Sequence, residues 1–346
     1  VGGPAKVRIV ENSPVRIILE VTRKAQNSIF TQQIRLAAGD SGKRVEFMTY
    51  IDWRSVECCL KAAFPLTVSN EMATYNLGLG TIERSTNNPK KYEVPSREWF
   101  DLSSKNGSYG VSVLEDRKFG SDKTDDNTLR LTLLYTPGVR GGFPDQYSQD
   151  WGRHDILYAL YGHSGSWRDG ASEWQGRRLN QPLVAFQSDM HNGPLGKDFS
   201  LLSLSTKQVD IRAFKKAEDS DMYIVRIQEL FGKSVDGVKI SFPASVIEAY
   251  EVNGQEHKTG DVKISDGKIV TDMSPYAIRS FAIKLAKPDN PASKSVSSKP
   301  VSLAYNEDII SSDANRTDGK LDSTGHTIPA EELPNVINCE DIKFVL

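Results

Sequence analysis

The sequence predicts an all-β protein, a large multi-stranded antiparallel β-sandwich with at most one or two short helices. Three observations predict it. Apolar residues recur with period two, or in short continuous runs, along most of the chain; that is the pattern of half-buried and fully buried strands. The runs are short and are separated by clusters of Gly, Asn, Asp and Pro, as in sandwiches. The long amphipathic helices that join parallel strands are missing, so a βαβ sheet is not expected.

The elements follow in order. Residues 15–24 carry Val and Ile in alternating and continuous stretches, and 28–38 alternates apolar with polar. In 44–53, Val45, Phe47, Thr49 and Ile51 share one face; Glu46, Met48, Tyr50 and Asp52 share the other. Asp40-Ser41-Gly42 reads as the hairpin turn between these two segments. Further strands are expected at 72–83, 109–115, 128–135 and 154–162. The polar clusters 86–91 and 120–127 read as turns, and 136–150 as a long Pro/Gly loop, a kind of segment that often carries function. One helix is expected at 167–179, with Trp167, Ala171, Trp174 and Arg178 on one face. Short strands resume at 199–204, 209–216, 222–230, 237–242, 246–252, 262–265 and 276–285, with hairpin turns at Asn253-Gly254 and Asp266-Gly267. Residues 1–286 are thus expected to form one large sandwich. Residues 287–300, rich in Pro, Ser and Lys, read as a linker, and 301–346 as a tail too short for a core of its own.

Composition narrows the function. The chain has 346 residues, 43 Lys+Arg against 45 Asp+Glu and a net charge of −2. That balance gives no bulk attraction to nucleic acid or to an acidic membrane. The longest apolar runs, 129–135 and 156–161, are far shorter than a membrane span. Neither nucleic acid nor membrane is therefore an expected partner. The first residues lack the basic-then-apolar layout of a signal peptide. Only Cys58, Cys59 and Cys339 are present, and the five histidines (His154, His163, His191, His257 and His326) are scattered. With no CxxC, HExxH, phosphate loop or dinucleotide fingerprint, no metal or cofactor site is expected within the chain.

Several stretches match a known family in order and spacing. They are IDW (51–53) with FP (64–65), YNLGLGTIERST (75–86), VPSREWFDLS (94–103), GVSVLEDRKFGSDKTDDNTLRLTLLYTP (110–137) and DWGRHDILYALYGHSGSW (150–167). Through these the chain resembles the C-terminal β-sandwich region of glycoside hydrolase family 38, the α-mannosidases. RTDGKLDSTGHTIPAEELP (316–334) resembles the segment leading into a further jelly-roll domain of long bacterial members, a domain not expected within these residues.

The resemblance implies a galactose mutarotase-like supersandwich. It implies a parent enzyme that hydrolyses α-mannosidic bonds with retention, using an Asp nucleophile and a zinc ion in a catalytic N-terminal domain. None of those motifs occurs here, so this chain is expected to be inactive alone and to complete the active-site wall. Its implied partners are the catalytic domain of the same polypeptide and a mannose-containing glycan. Zinc is expected in the catalytic domain, not in these residues.

The candidate site residues are Asp116, Arg117, Lys118, Asp150, His154 and His163. The resemblance places a basic turn facing the active site at about 115–118, with Lys118 where an Arg stands in relatives. A cation there would bind sugar hydroxyls or orient carboxylates; the plain alternative is a solvated turn. Asp150, Trp151, His154 and His163 flank the best-matching strand. They either line the interface with the catalytic domain or a sugar-facing edge, or are structural, with His163 bonding loop backbone; the structural reading is favoured. Trp167 and Trp174 are read as a packing face rather than a sugar-stacking one. Asp52 and Trp53 are read as structural, with a carboxylate near the indole nitrogen. Asp52 with Glu57, or Asp169 with Glu173, are the poorly supported carboxylate dyads. The alternative functions are a carbohydrate-binding module and, by fold analogy alone, a mutarotase- or epimerase-like enzyme with a converging His and Glu.

Overall fold

The structure, a computed structural model, describes residues 4–88, 90–138, 149–185, 195 and 197–287. The expected linker from 288 on, the tail, most of the 136–150 loop, and His191, His326 and Cys339 lie outside the described residues. Within them the architecture is all-β and antiparallel, with a single α-helix. The stretch 1–286, expected as one sandwich, is built of two compact units that divide near residue 187.

The first unit contains β1 (Lys6–Asn12), β2 (Arg16–Ala25), β3 (Ser28–Ala37), β4 (Arg44–Trp53), β5 (Cys58–Pro65), β6 (Met72–Asn76), β7 (Thr81–Ser85), β8 (Val94–Pro95), β9 (Trp99–Ser103), β10 (Tyr109–Glu115), β11 (Gly120–Lys123), β12 (Thr128–Thr136) and β13 (Gly152–Ser164). Nine of them form one sheet in the order β1-β2-β3-β4-β13-β10-β9-β6-β7, and four form a second, β5-β12-β11-β8. Ile51, Trp53, Phe100, Leu102, Val113, Ile156 and Tyr158 from the first sheet pack on Phe64, Leu129, Leu131 and Val94 from the second. The period of two therefore points one face of each strand into a shared core. At ~4.8 Å per strand, nine strands span far more than four, and β1 stays outside the core: Val7 and Ile9 are exposed.

The other face of the nine-stranded sheet carries the helix α1 (Ser172–Asn180), packed on β9, β10 and β13. The helix is shorter than the expected 167–179 because Ala171 is left-handed (φ 55°) and starts it late. The expected strand at 72–83 is a hairpin, β6 and β7, which turns at Gly78 (φ 86°). The expected Asp40–Gly42 turn is a short 3-10 segment, Gly39–Lys43.

The second unit is a smaller sandwich. Its strands are β14 (Ser203–Leu204), β15 (Val209–Lys216), β16 (Tyr223–Glu229), β17 (Val235–Ser241), β18 (Val246–Val252), β19 (Lys258–Asp261), β20 (Lys263–Ser265), β21 (Lys268–Met273) and β22 (Ile278–Leu285). The sheets β14-β17-β21-β20 and β15-β16-β22-β18-β19 enclose Val225, Ile227, Val238, Ile240, Ile269 and Phe281. Asp266 and Gly267 both take positive φ (50° and 69°), as a two-residue hairpin turn demands.

Candidate functional site

The candidate site forms where the chain leaves the nine-stranded sheet at the end of β10 and enters the four-stranded sheet at β11. Residues 116–119 make that crossing. Arg117 occupies the left-handed region (φ 60°), a strained choice for a residue with a side chain. The Asp116 amide donates to Leu157 O on β13 at 3.2 Å, which pins the turn to the neighbouring strand. Asp116 Oδ2 accepts Arg117 Nε and Nη2 at 3.1 and 2.9 Å, and the guanidinium itself stays exposed. Beside it, Lys118 is half-buried. Burial lowers its pKa and Asp150 opposes that shift by charge attraction.

Asp150 lies just before β13, and its charge acts on Lys118. His154 Nε2 bonds to Asp150 O at 2.9 Å, and the Asp150 carboxylate lies 3.9 Å from the ring. Of the six expected residues, the structure joins Asp116 with Arg117 and Asp150 with His154, and Lys118 feels the charge of Asp150. The arrangement is a fixed turn that presents one exposed guanidinium and one partly desolvated ammonium, backed by carboxylates. Such a group can bind hydroxyls or anions and can orient an acid.

His163 is elsewhere. Nine residues further along β13, ~30 Å at 3.3 Å per residue, its Nε2 bonds to buried Asp101 Oδ2 at 2.7 Å. Asp101 Oδ2 also accepts Ser112 Oγ at 2.8 Å, and Ser112 meets Ser172 of α1 at 2.6 Å. This network holds the helix to the sheet. His163 bonds a carboxylate rather than the expected loop backbone, and it is too buried to meet a substrate.

The remaining expectations resolve as follows. Trp167 is buried against Trp99, ring centroids 4.9 Å apart, so it is a packing residue. Trp53 is buried as expected, but its indole nitrogen has no hydrogen-bond partner among the described residues. Asp52 points to the other face and pairs with Arg54 at 2.9 Å, because adjacent strand residues alternate. Asp169 precedes α1 and caps Ser166, whereas Glu173 is buried on Trp99 Nε1 at 2.7 Å. Neither proposed carboxylate dyad is set up for a sugar.

One residue here was not singled out as a site residue by sequence reasoning. Glu115, the last residue of β10, continues the core-facing series of Val111 and Val113 and is fully buried. Burial pushes its carboxyl up to about 8. The only signal was a charged residue where the strand's inward alternation should continue.

Comparison with known proteins assigns the region. Residues 2–145 match the family described as Glycosyl hydrolases family 38 C-terminal domain. Residues 208–281 match the Glycosyl hydrolases family 38 C-terminal beta sandwich domain. The chain carries a family 38 glycosyl hydrolase C-terminal region. Residues 297–346 match an AziU2-like beta-sandwich domain.

Among curated proteins, the chain is 30% identical over 274 residues to Alpha-mannosidase 2C1 of Mus musculus, covering 76% of this chain and 25% of that protein. It is 26% identical over 290 residues to Alpha-mannosidase G of Dictyostelium discoideum, covering 79% and 26%. The chain therefore spans about a quarter of the length of the curated relatives it matches. A solved alpha-mannosidase from Enterococcus faecalis superposes with a TM-score of 0.67 at 16% identity, covering 81% of this chain and 35% of that one; this shows the shared fold. Among the described residues, no three His, Cys, Asp or Glu side chains converge as a metal site.

Proposed function

We propose that this family 38 region serves a retaining α-mannosidase as a non-catalytic wall, and that the Asp116–Lys118 turn presents its cations to a mannose-containing glycan. The observation that carries the reading is the turn itself. A left-handed Arg117, pinned to β13 through Asp116, projects an exposed guanidinium beside half-buried Lys118, which feels the charge of Asp150. Geometry this constrained is costly for a merely solvated loop.

In this reading the nucleophile, the acid/base and the zinc belong to a catalytic domain on the same polypeptide. The role of these residues is to bind and orient sugar hydroxyls through charge-assisted hydrogen bonds. The described residues offer no zinc ligand set. A sugar-binding module acting alone is the second reading, favoured by exposed Phe119 beside Lys118 and exposed Trp151 beside Asp150. The epimerase reading gains nothing: His154 bonds Asp150 and His163 bonds Asp101, neither converging with a Glu.

Assays of an aryl α-mannoside decide between these readings. The wall reading expects turnover by a polypeptide that includes the catalytic domain, a loss of at least tenfold in kcat/KM on Lys118→Ala, and no turnover by the 346-residue chain. Mannose binding at millimolar concentration by the 346-residue chain would favour the module.

A further inference from the structure

We propose that Glu115 is the positioning residue of the Asp116–Lys118 turn, a buried acid whose side chain holds the turn's backbone from the core side so that Arg117 and Lys118 keep their orientation. The proposal rests on the reading of that turn as sugar-facing and adds the residue that sets its geometry.

Three contacts define the role. Glu115 Oε2 accepts the Lys118 amide at 3.1 Å and so closes the turn across the left-handed Arg117. The Glu115 amide donates to Glu98 O at 3.0 Å, which ties the strand end to the segment entering β9. The Glu115 carbonyl accepts Asn180 Nδ2 at 2.9 Å, from the last residue of α1. One residue thus joins the turn, the neighbouring strand and the helix.

Its chemistry makes the role dependent on a proton. Glu115 Oε1 is buried without a hydrogen-bond partner among the described residues. An ionised carboxylate there would have one strong donor and an unsolvated oxygen, a costly state. The charged groups around it add to the cost. Glu98, from the segment before β9, and Asp116, from the turn, both repel a second negative charge. Arg177 of α1 lies 3.8 Å from Glu98. Lys118 offers its amide to Glu115. The amides of Lys118 and Glu98 favour the ionised form but do not offset burial. The group therefore stays neutral at pH 7; on ionisation the cost of the unsolvated charge outweighs the amide contacts and favours its movement out of the core, which releases the Lys118 amide.

Amide hydrogen exchange tests this directly, on the 346-residue chain and its Glu115→Gln and Glu115→Leu variants, at pH 6 and pH 9.5 after correction for intrinsic rates. Gln keeps the acceptor and has no proton to lose; Leu lacks both. The expected result is protection of the 115–120 segment in wild type at pH 6, lost at least tenfold at pH 9.5. Glu115→Gln keeps protection at both pH values and Glu115→Leu at neither, while β4 and β13 stay protected throughout. Equal protection in wild type at both pH values, or a loss spread evenly over β4 and β13, overturns the proposal. Wild type against Glu115→Gln decides the matter alone if Glu115→Leu does not fold. Hydrolysis of an aryl α-mannoside by a polypeptide that adds the catalytic domain, with and without Lys118→Ala, separates the two claims. If kcat/KM is unchanged by Lys118→Ala and the exchange pattern is as expected, the sugar-facing reading fails and the positioning role stands.

Discussion

His163 Nε2 lies 2.7 Å from Asp101 Oδ2, and both side chains are almost wholly shielded from solvent beneath α1. Asp101 also accepts hydrogen bonds from Ser103 and Ser112. Replacing Asp101 with Ala removes the acceptor of two buried donors, His163 and Ser112, and of half-buried Ser103. Asp101→Ala is expected to lower stability by ~3 kcal/mol, read from the midpoint of a urea unfolding curve. A loss under ~1 kcal/mol would show that water replaces the carboxylate.

Gly110 lies directly opposite both His163 and Ser103 in the register. A Cβ there would stand 2.6 Å from His163 Cε1 and 2.7 Å from Ser103 Oγ. Gly110→Ala is therefore expected to cost about 2 kcal/mol by overpacking. Thermal unfolding measures it, and an unchanged Tm would mean that the strands part freely at this pair.

Asp122 tests the acid side. It is fully buried on β11, where burial raises its pKa, but the hydrogen bonds from Arg130 (2.6 and 2.8 Å) and Lys61 (2.7 Å) outweigh that and leave it lowered. A carboxylate with a folded pKa below its ordinary 3.8 contributes stability above that value. The contribution fades as pH falls through the folded value. Acid unfolding of wild type should steepen below pH 4, and Asp122→Asn should flatten that limb while costing stability at pH 7. Identical acid limbs would count against the coupling.

Glu115 works with the opposite sign. Its folded value, about 8, exceeds the ordinary 4.5, so between these the folded protein holds a proton that the unfolded chain has released. Stability from this group therefore falls as pH rises from about 4.5 to 8 and levels off above. Glu115→Gln should match wild type near pH 4.5 and exceed it by ~3 kcal/mol at pH 8. A gap independent of pH would mean that Glu115 is ionised in the fold.

Much of this was legible in the sequence wherever one face of a strand is apolar. The alternation in 44–53 set Val45, Phe47, Thr49 and Ile51 on one face, and the structure puts Ile51 in the core with Phe47 packed against it. Legibility failed where polar residues are buried with their partners. The cluster 120–127 reads as a turn, yet its first part is β11, whose Ser121, Asp122 and Lys123 are fully buried. Lys123 reaches Thr86 at 2.8 Å and Asp126 at 3.3 Å, and Asp122 reaches Lys61 and Arg130. These partners come from other strands and turns, and composition cannot reveal them. The same holds for His163, whose acceptor lies 62 positions earlier on β9. The split into two units was hidden because both halves repeat one β pattern, each closing its own core. The turn at 116–118 was visible by resemblance, but its anchoring by Glu115 depends on burial.

In the proposed reading this region supplies orienting cations to an α-mannosidase and no catalysis of its own. The most direct measurement is hydrolysis of an aryl α-mannoside in the presence of zinc. The assay compares the 346-residue chain with a polypeptide that adds the catalytic domain, the latter with and without Lys118→Ala. The account predicts no turnover by the 346-residue chain, turnover by the longer polypeptide, and a loss of at least tenfold in kcat/KM on Lys118→Ala. Turnover by the 346-residue chain alone, or an unchanged kcat/KM in the variant, would contradict it.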